Sequence, residues 1–271
     1  MDRTSEIVHD AGVFPESLRS VDGNHTVSWV DIPSGELWVR NAASGYIGRH
    51  TLGVAPVGAV LPVTDGWLAA GQGALWHWNS AKGLTPVASF HSACSGVALT
   101  SNDAGIDPWG RVYLGRMALD ERAGFGSLVC IEDGFVREIC RGLDLPNGLA
   151  WSSDNKRMFF AESASQLIYS IPTSKRGERW GERTVFVKLD DGLPDGMCSD
   201  SGDGLWVCAY GSGVVHRFDM SGRLTMSKIF PLPNVTSCLV SGRLLYVTIV
   251  DEAGIRDDER VHGSLWAAPL H

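Results

Sequence analysis

The chain has 271 residues, 44% of them hydrophobic, with 32 glycines and 12 prolines scattered along it; this excludes a disordered segment and fits many short strands joined by tight turns. A formal net charge of -8 comes without clusters of lysine and arginine, which excludes a polyanion such as nucleic acid as partner. The start, MDRTSEIVHDAG, has no apolar core after a basic stretch, and no run approaches the roughly 18 apolar residues of a bilayer span, so the chain reads as soluble, cytoplasmic and without a membrane partner.

From the amino terminus, residues 5–8 (SEIV) are expected to supply the outer strand of the last structural unit and so close a ring, removing the sheet edges that invite aggregation. A turn followed by a short β-type run ending near an aromatic then recurs six times: DGNHTVSWV, TDGWLAA, DPWGRVYLG, SSDNKRMFFA, SDSGDGLWVCA and VSGRLLYVT. Its anchors, Trp29, Trp67, Tyr113, Phe159, Trp206 and Tyr246, stand 38, 46, 46, 47 and 40 residues apart, a blade-like period. Behind each comes a second alternating strand: GELWV, GALWHW, GSLVCI, SQLIYSI, GVVHRF and GSLWAA. Six pairs in 271 residues leave about 45 residues per unit, the size of a four-stranded blade. The pattern predicts an all-β, six-bladed β-propeller with four-stranded blades around a central channel, in a single domain over residues 1–271. The charged stretches at 174–183 and 251–260 read as loops between strands.

The six cysteines, at positions 94, 130, 140, 198, 208 and 238, include no CxxC pair. Cys130, Cys198, Cys208 and Cys238 fall inside hydrophobic strand patterns, so reduced core thiols are expected rather than a disulfide framework. No GxSxG turn is present, which argues against a serine hydrolase, and the histidines are dispersed.

In a propeller the innermost strand of each blade lines the channel, so repeat-equivalent positions converge on one axis. Counting back about 10 to 13 residues from the anchors lands on Glu16, Val57 and Gly58, Asn102, Asn147, Asp195, and Thr236 and Ser237. Four of these six positions offer strong oxygen donors. LPNGLAW around Asn147 and LPDGMC around Asp195 share a Pro before and a Gly after, and Pro15 precedes Glu16. Asn or Asp before Gly is also ordinary turn chemistry; the shared register across four blades favours a channel site. Glu, Asn and Asp donors without His or Cys suit one hard divalent cation, Ca²⁺ first, with Mg²⁺, Mn²⁺ or Zn²⁺ as alternatives.

The phrases PNGLAWSSDNKRMFFAES, LPDGMCSDSGDGLWVCAYGSGVVHRFDMSGRL and SNDAGIDPWGRVYLGRM, with the ending TSCLVSGRLLYVT, carry a resemblance to the family of gluconolactonase, senescence marker protein 30 (regucalcin) and luciferin-regenerating enzyme. The resemblance implies a metal-dependent hydrolase that opens a lactone, with metal ligands at Glu16, Asn147 and Asp195 and with Asp195 also acting as general base. It implies substrate contacts at Asn102 and Asp120, and at Thr100, which stands where the family often carries an arginine. Ser17 and Leu18 replace the family's glycine and proline after the metal-binding Glu. A small-molecule substrate is the partner expected. Other readings of the same scaffold are a phosphoester or phosphotriester hydrolase, a cyclisation or condensation enzyme, and a Ca²⁺-binding propeller without catalysis.

Overall fold

The structure, a computed structural model, describes residues 5–23, 25–90, 96–174, 180, 182–252 and 262–270. Cys94, His91 and most of the two charged stretches lie outside the described residues. Strand β1 (Glu6–Gly12) precedes blade 1, which comprises β2 (Pro15–Ser20), β3 (Thr26–Asp31), β4 (Glu36–Asn41) and β5 (Ile47–Thr51). Blade 2 follows as β6 (Ala59–Val63), β7 (Gly66–Gly71), β8 (Ala74–Asn79) and β9 (Gly83–Ser89), and blade 3 as β10 (Leu99–Ile106), β11 (Val112–Ala118), β12 (Gly126–Glu132) and β13 (Phe135–Leu143). Blade 4 is β14 (Pro146–Trp151), β15 (Arg157–Glu162), β16 (Leu167–Pro172) and β17 (Thr184–Lys188); blade 5 is β18 (Leu193–Ser199), β19 (Gly204–Tyr210), β20 (Val214–Asp219) and β21 (Leu224–Ile229). Blade 6 holds β22 (Asn234–Ser241), β23 (Leu244–Asp251) and β24 (His262–Pro269), and takes β1 as its fourth strand.

Blades 1 to 5 are antiparallel meanders, blade 6 is antiparallel with β1 as its outer strand, and the six sheets form the predicted six-bladed propeller. The expected closure is present: β1 pairs with β24, Glu6 opposite Ala267 and Asp10 opposite Ser264, so the start of the chain covers an otherwise open edge. All six aromatic anchors fall on the second strand of their blades. Five are buried, and Trp67 is partly buried.

Middle strands such as β12, β19 and β23 are buried almost without a break because both faces of a blade pack against neighbours. The core is accordingly divided into six clusters, each drawn mainly from two adjacent blades. Trp29 and Trp38 stack at 5.7 Å in the seam between blades 6 and 1, where Trp29 Nε1 donates to Ala11 O at 3.0 Å. The five described cysteines are free, as expected. Burial pushes the Cys130 and Cys208 thiols up to about 11, which keeps them inert. Among the described residues no helix is long and apolar enough to cross a membrane.

Candidate metal centre

The innermost strands, β2, β6, β10, β14, β18 and β22, run side by side around the channel. Five of the six lose regular register at the predicted channel position: between Glu16 and Arg19, Ser101 and Ala104, Asn147 and Leu149, Pro194 and Met197, and Val235 and Ser237. Such a bulge leaves residues unpaired with the neighbouring strand and re-aims their side chains. Asp195 falls inside its bulge, whereas Glu16 and Asn147 are the last paired residues before theirs; the three, from blades 5, 1 and 4, line one cavity of about 500 Å³.

The glycines that follow the donors serve close approach more than turning. A Cβ on Gly148 would stand 2.2 Å from Asp195 O, and one on Gly196 would stand 2.8 Å from Thr236 O and Ser237 Cα. Blade 1 uses Ser17 instead, at φ 59°, and its fully buried Oγ bonds to Val60 N and O, each at 3.1 Å. Polar stitches continue around the ring. Thr236 Oγ1 donates to Pro15 O at 2.7 Å, Leu18 N–H to Ser237 Oγ at 3.0 Å, and Ser163 Oγ to Pro194 O at 2.6 Å. The donors are therefore held by a rigid inner ring drawn from several blades.

Within the cavity the electrostatics are unfavourable to the protein alone. Glu16 and Asp195 are both only 7% exposed. Burial raises the Glu16 carboxyl well above its ordinary value, and the charges of Asp195 and Asp103 add to the effect, against pulls from Ser17 N–H and Arg19. Burial and Asp103 raise Asp195 in the same way, against hydrogen bonds from the Asn147 side chain and Gly196 N–H. Asp195 Oδ1 is buried and has no hydrogen-bond partner. Arg19 is committed elsewhere: Nη2 meets Asp103 Oδ1 at 2.8 Å and Ala104 O at 2.5 Å, while Nη1 donates to Leu18 O at 2.9 Å.

An orphaned carboxylate oxygen beside a second buried carboxylate and an amide fits a hard divalent cation. The cation would satisfy the oxygen and relieve the repulsion that raises both acids. Among the described residues no three His, Cys, Asp or Glu side chains form a metal cluster, consistent with a site that mixes two carboxylates with an amide.

Of the other sequence-predicted residues, Asn102 lines the same cavity and anchors its Nδ2 on Pro146 O at 3.1 Å. Asp120 is exposed, pairs with Arg122 at 2.7 Å and does not line the cavity, whereas its neighbour Glu121 does. Thr100, half-buried on β10, is not in the lining either. Sequence reasoning did not single out the remaining wall. Counting three or four residues forward from the anchors gives Ile32, Met117, Ser163 and Tyr210, all in that wall. The residues two before the donors, Phe14, Leu145 and Leu193, complete a repeated phrase of apolar residue, proline and donor.

Fold and site together define a six-bladed propeller with an acidic, oxygen-donor pocket at its axis. The chain belongs to the SMP-30/gluconolactonase/LRE-like family, whose family model matches residues 14–251. Regucalcin of Gallus gallus is 33% identical over 172 residues, 58% of this chain and 56% of that protein, so the alignment spans little more than half of that relative. Among solved structures, a calcium-binding regucalcin of Agrobacterium tumefaciens superposes with a TM-score of 0.85 at 23% identity, covering 98% of this chain and 93% of the other. A gluconolactonase of Xanthomonas campestris gives 0.75 at 20% identity, covering 98% and 89%.

Proposed function

We propose that this chain is a lactonase that depends on one divalent cation held by Glu16, Asn147 and Asp195. The observation that carries the reading is the buried, unpartnered Asp195 Oδ1 on a residue that shares a cavity with Glu16 and Asn147. Membership of a family named for gluconolactonase, and the likeness to a solved gluconolactonase, support cyclic esters as the substrate class.

When bound, the cation would polarise the ester carbonyl and make a bound water more acidic, Ca²⁺ being the first candidate for an all-oxygen donor set. The protein's own residues do the rest. Glu16 offers the oxygen left over from its bond to Ser17 N–H. Asn147 offers Oδ1, which is fixed by Gly148 N–H at 3.0 Å. Asp195 gives Oδ1 to the ion and takes the proton of the attacking water at its second carboxylate oxygen. Asn102, with Nδ2 anchored on Pro146 O, keeps one N–H and its carbonyl oxygen to orient the lactone.

The named wall contains no lysine, arginine or histidine, and the two charges of the cation are offset by Glu16 and Asp195, so the charge of Glu121 disfavours an anionic phosphoester. A cation-holding propeller without turnover is the second reading, supported by the solved regucalcin described as calcium-binding. A pH-stat assay of lactones, on chelated protein with Ca²⁺, Mg²⁺, Mn²⁺ or Zn²⁺ added back, separates the two. Asp195→Asn is expected to lower kcat by about 100-fold or more with the fold retained by circular dichroism. Full turnover in that variant removes the general-base assignment, and absence of turnover with every cation leaves the binding reading.

A further inference from the structure

We infer that the substrate is a neutral lactone or ester carrying an apolar alkyl or aromatic substituent, and not a polyhydroxylated or anionic one; the inference rests on the lactonase reading. Around the three donors the cavity wall is an apolar collar. Phe14, Leu145 and Leu193 each stand two residues before a donor, in the phrases Phe14-Pro15-Glu16, Leu145-Pro146-Asn147 and Leu193-Pro194-Asp195. Ile32, Pro33 and Met117 extend the same surface. None of these six is fully buried, and Leu193 and Pro33 are exposed. Apolar side chains kept at an open mouth are the usual lining of a small-molecule site.

The polar groups are few and mostly committed. Ser163 Oγ donates to Pro194 O at 2.6 Å, and the Tyr210 hydroxyl is bonded to Glu252 Oε1. With Glu16, Asn147 and Asp195 given to the ion, Asn102 and Glu121 remain among the described residues of the wall to meet substrate polar groups. A sugar lactone carries hydroxyls around its ring, and most would face carbon and stay unpaired, which costs affinity. An anionic substrate would meet Glu121 with no positive side chain in the named wall, and the two charges of the ion are already offset by Glu16 and Asp195. The volume of about 500 Å³ lies within the roughly 300–1,000 Å³ that encloses drug-sized ligands, so it holds a lactone ring and a substituent of several carbons.

The test pairs turnover with binding. For the cation-loaded protein, kcat/KM on a δ-lactone with a hexyl chain is compared with that on glucono-δ-lactone. Calorimetry then compares the corresponding hydrolysis-resistant lactams, hexyl-substituted against polyhydroxylated. The alkyl member is expected to lead by at least about tenfold in both measurements, and Leu193→Asn, at an exposed position, to narrow that lead. Equal or tighter binding of the polyhydroxylated lactam, or no detectable binding of the alkyl lactam, overturns the substrate class whether or not either lactone is opened. A lead for the alkyl lactam with neither lactone opened upholds the apolar site and overturns the lactonase reading alone.

Discussion

Asp195 and Glu16 are two acids that folding places in the same buried cavity. In chelated protein their pKa values lie above the unfolded values of about 3.9 and 4.3, so the native state binds more protons than the unfolded state. Their contribution to stability is fully present below that range and is lost as pH rises through the raised native values. The melting temperature of chelated protein is therefore expected to fall from about pH 4 upward, more steeply than in Asp195→Asn, while saturating Ca²⁺ restores it and releases protons. Differential scanning fluorimetry across pH, with and without chelator, checks this. At this scale the meeting of Glu16, Asn147 and Asp195 in one cavity was legible, because identity and register together mark them. Asp120 shows the limit: it adjoins Glu121 in ALDERAG, and no periodic pattern decides which of two neighbouring loop acids turns inward.

Among the elements, the hairpin turns between first and second strands of blades 3 and 5 are held by a buried acid, Asp107, and a half-buried one, Asp200. Asp200, the residue after β18, accepts from Gly202 N–H at 2.8 Å, Gly204 N–H at 2.9 Å, Trp206 Nε1 at 2.8 Å and Arg217 Nε at 2.6 Å. One carboxylate thus ties together the second and third strands of blade 5. Burial alone would raise its pKa, but these hydrogen bonds outweigh burial and hold it below the ordinary value. Its contribution is present above the unfolded pKa of about 3.9 and is lost as pH falls through the native value. Asp200→Ala is expected to cost about 2–3 kcal/mol in urea unfolding at pH 7, and less in acid. The turns were visible in phrases such as SDSGDG, and the strands in their alternation. The bulges were not, because an added residue in an inner strand looks the same in sequence as a longer turn. The variable count from anchor to donor is the trace they leave.

For the whole molecule, the period of the anchors specified the number of blades, since each aromatic serves a seam between neighbours. The cavity wall was harder to read. Its residues sit at strand ends and in connections, where side-chain type follows the ligand and not the repeat. Ring closure depends on β1, which contributes Ala11 to the seam between blades 6 and 1. A chain lacking residues 1–12 is expected to unfold at lower urea and to self-associate through the exposed β24, as read by light scattering after size exclusion. An unchanged midpoint and a monomeric profile would show that the clasp is dispensable.

That clasp also imposes an order in time. A first strand whose partner is the latest strand in chain order has nothing to pair with while the intervening blades assemble, so the circle is shut from its two ends at once. Glu16 follows directly on that first strand, whereas Asn147 and Asp195 belong to the middle and later blades. The seat proposed for the cation would be complete only when the circle is complete, and uptake of a cation during refolding is then expected to time the closing step.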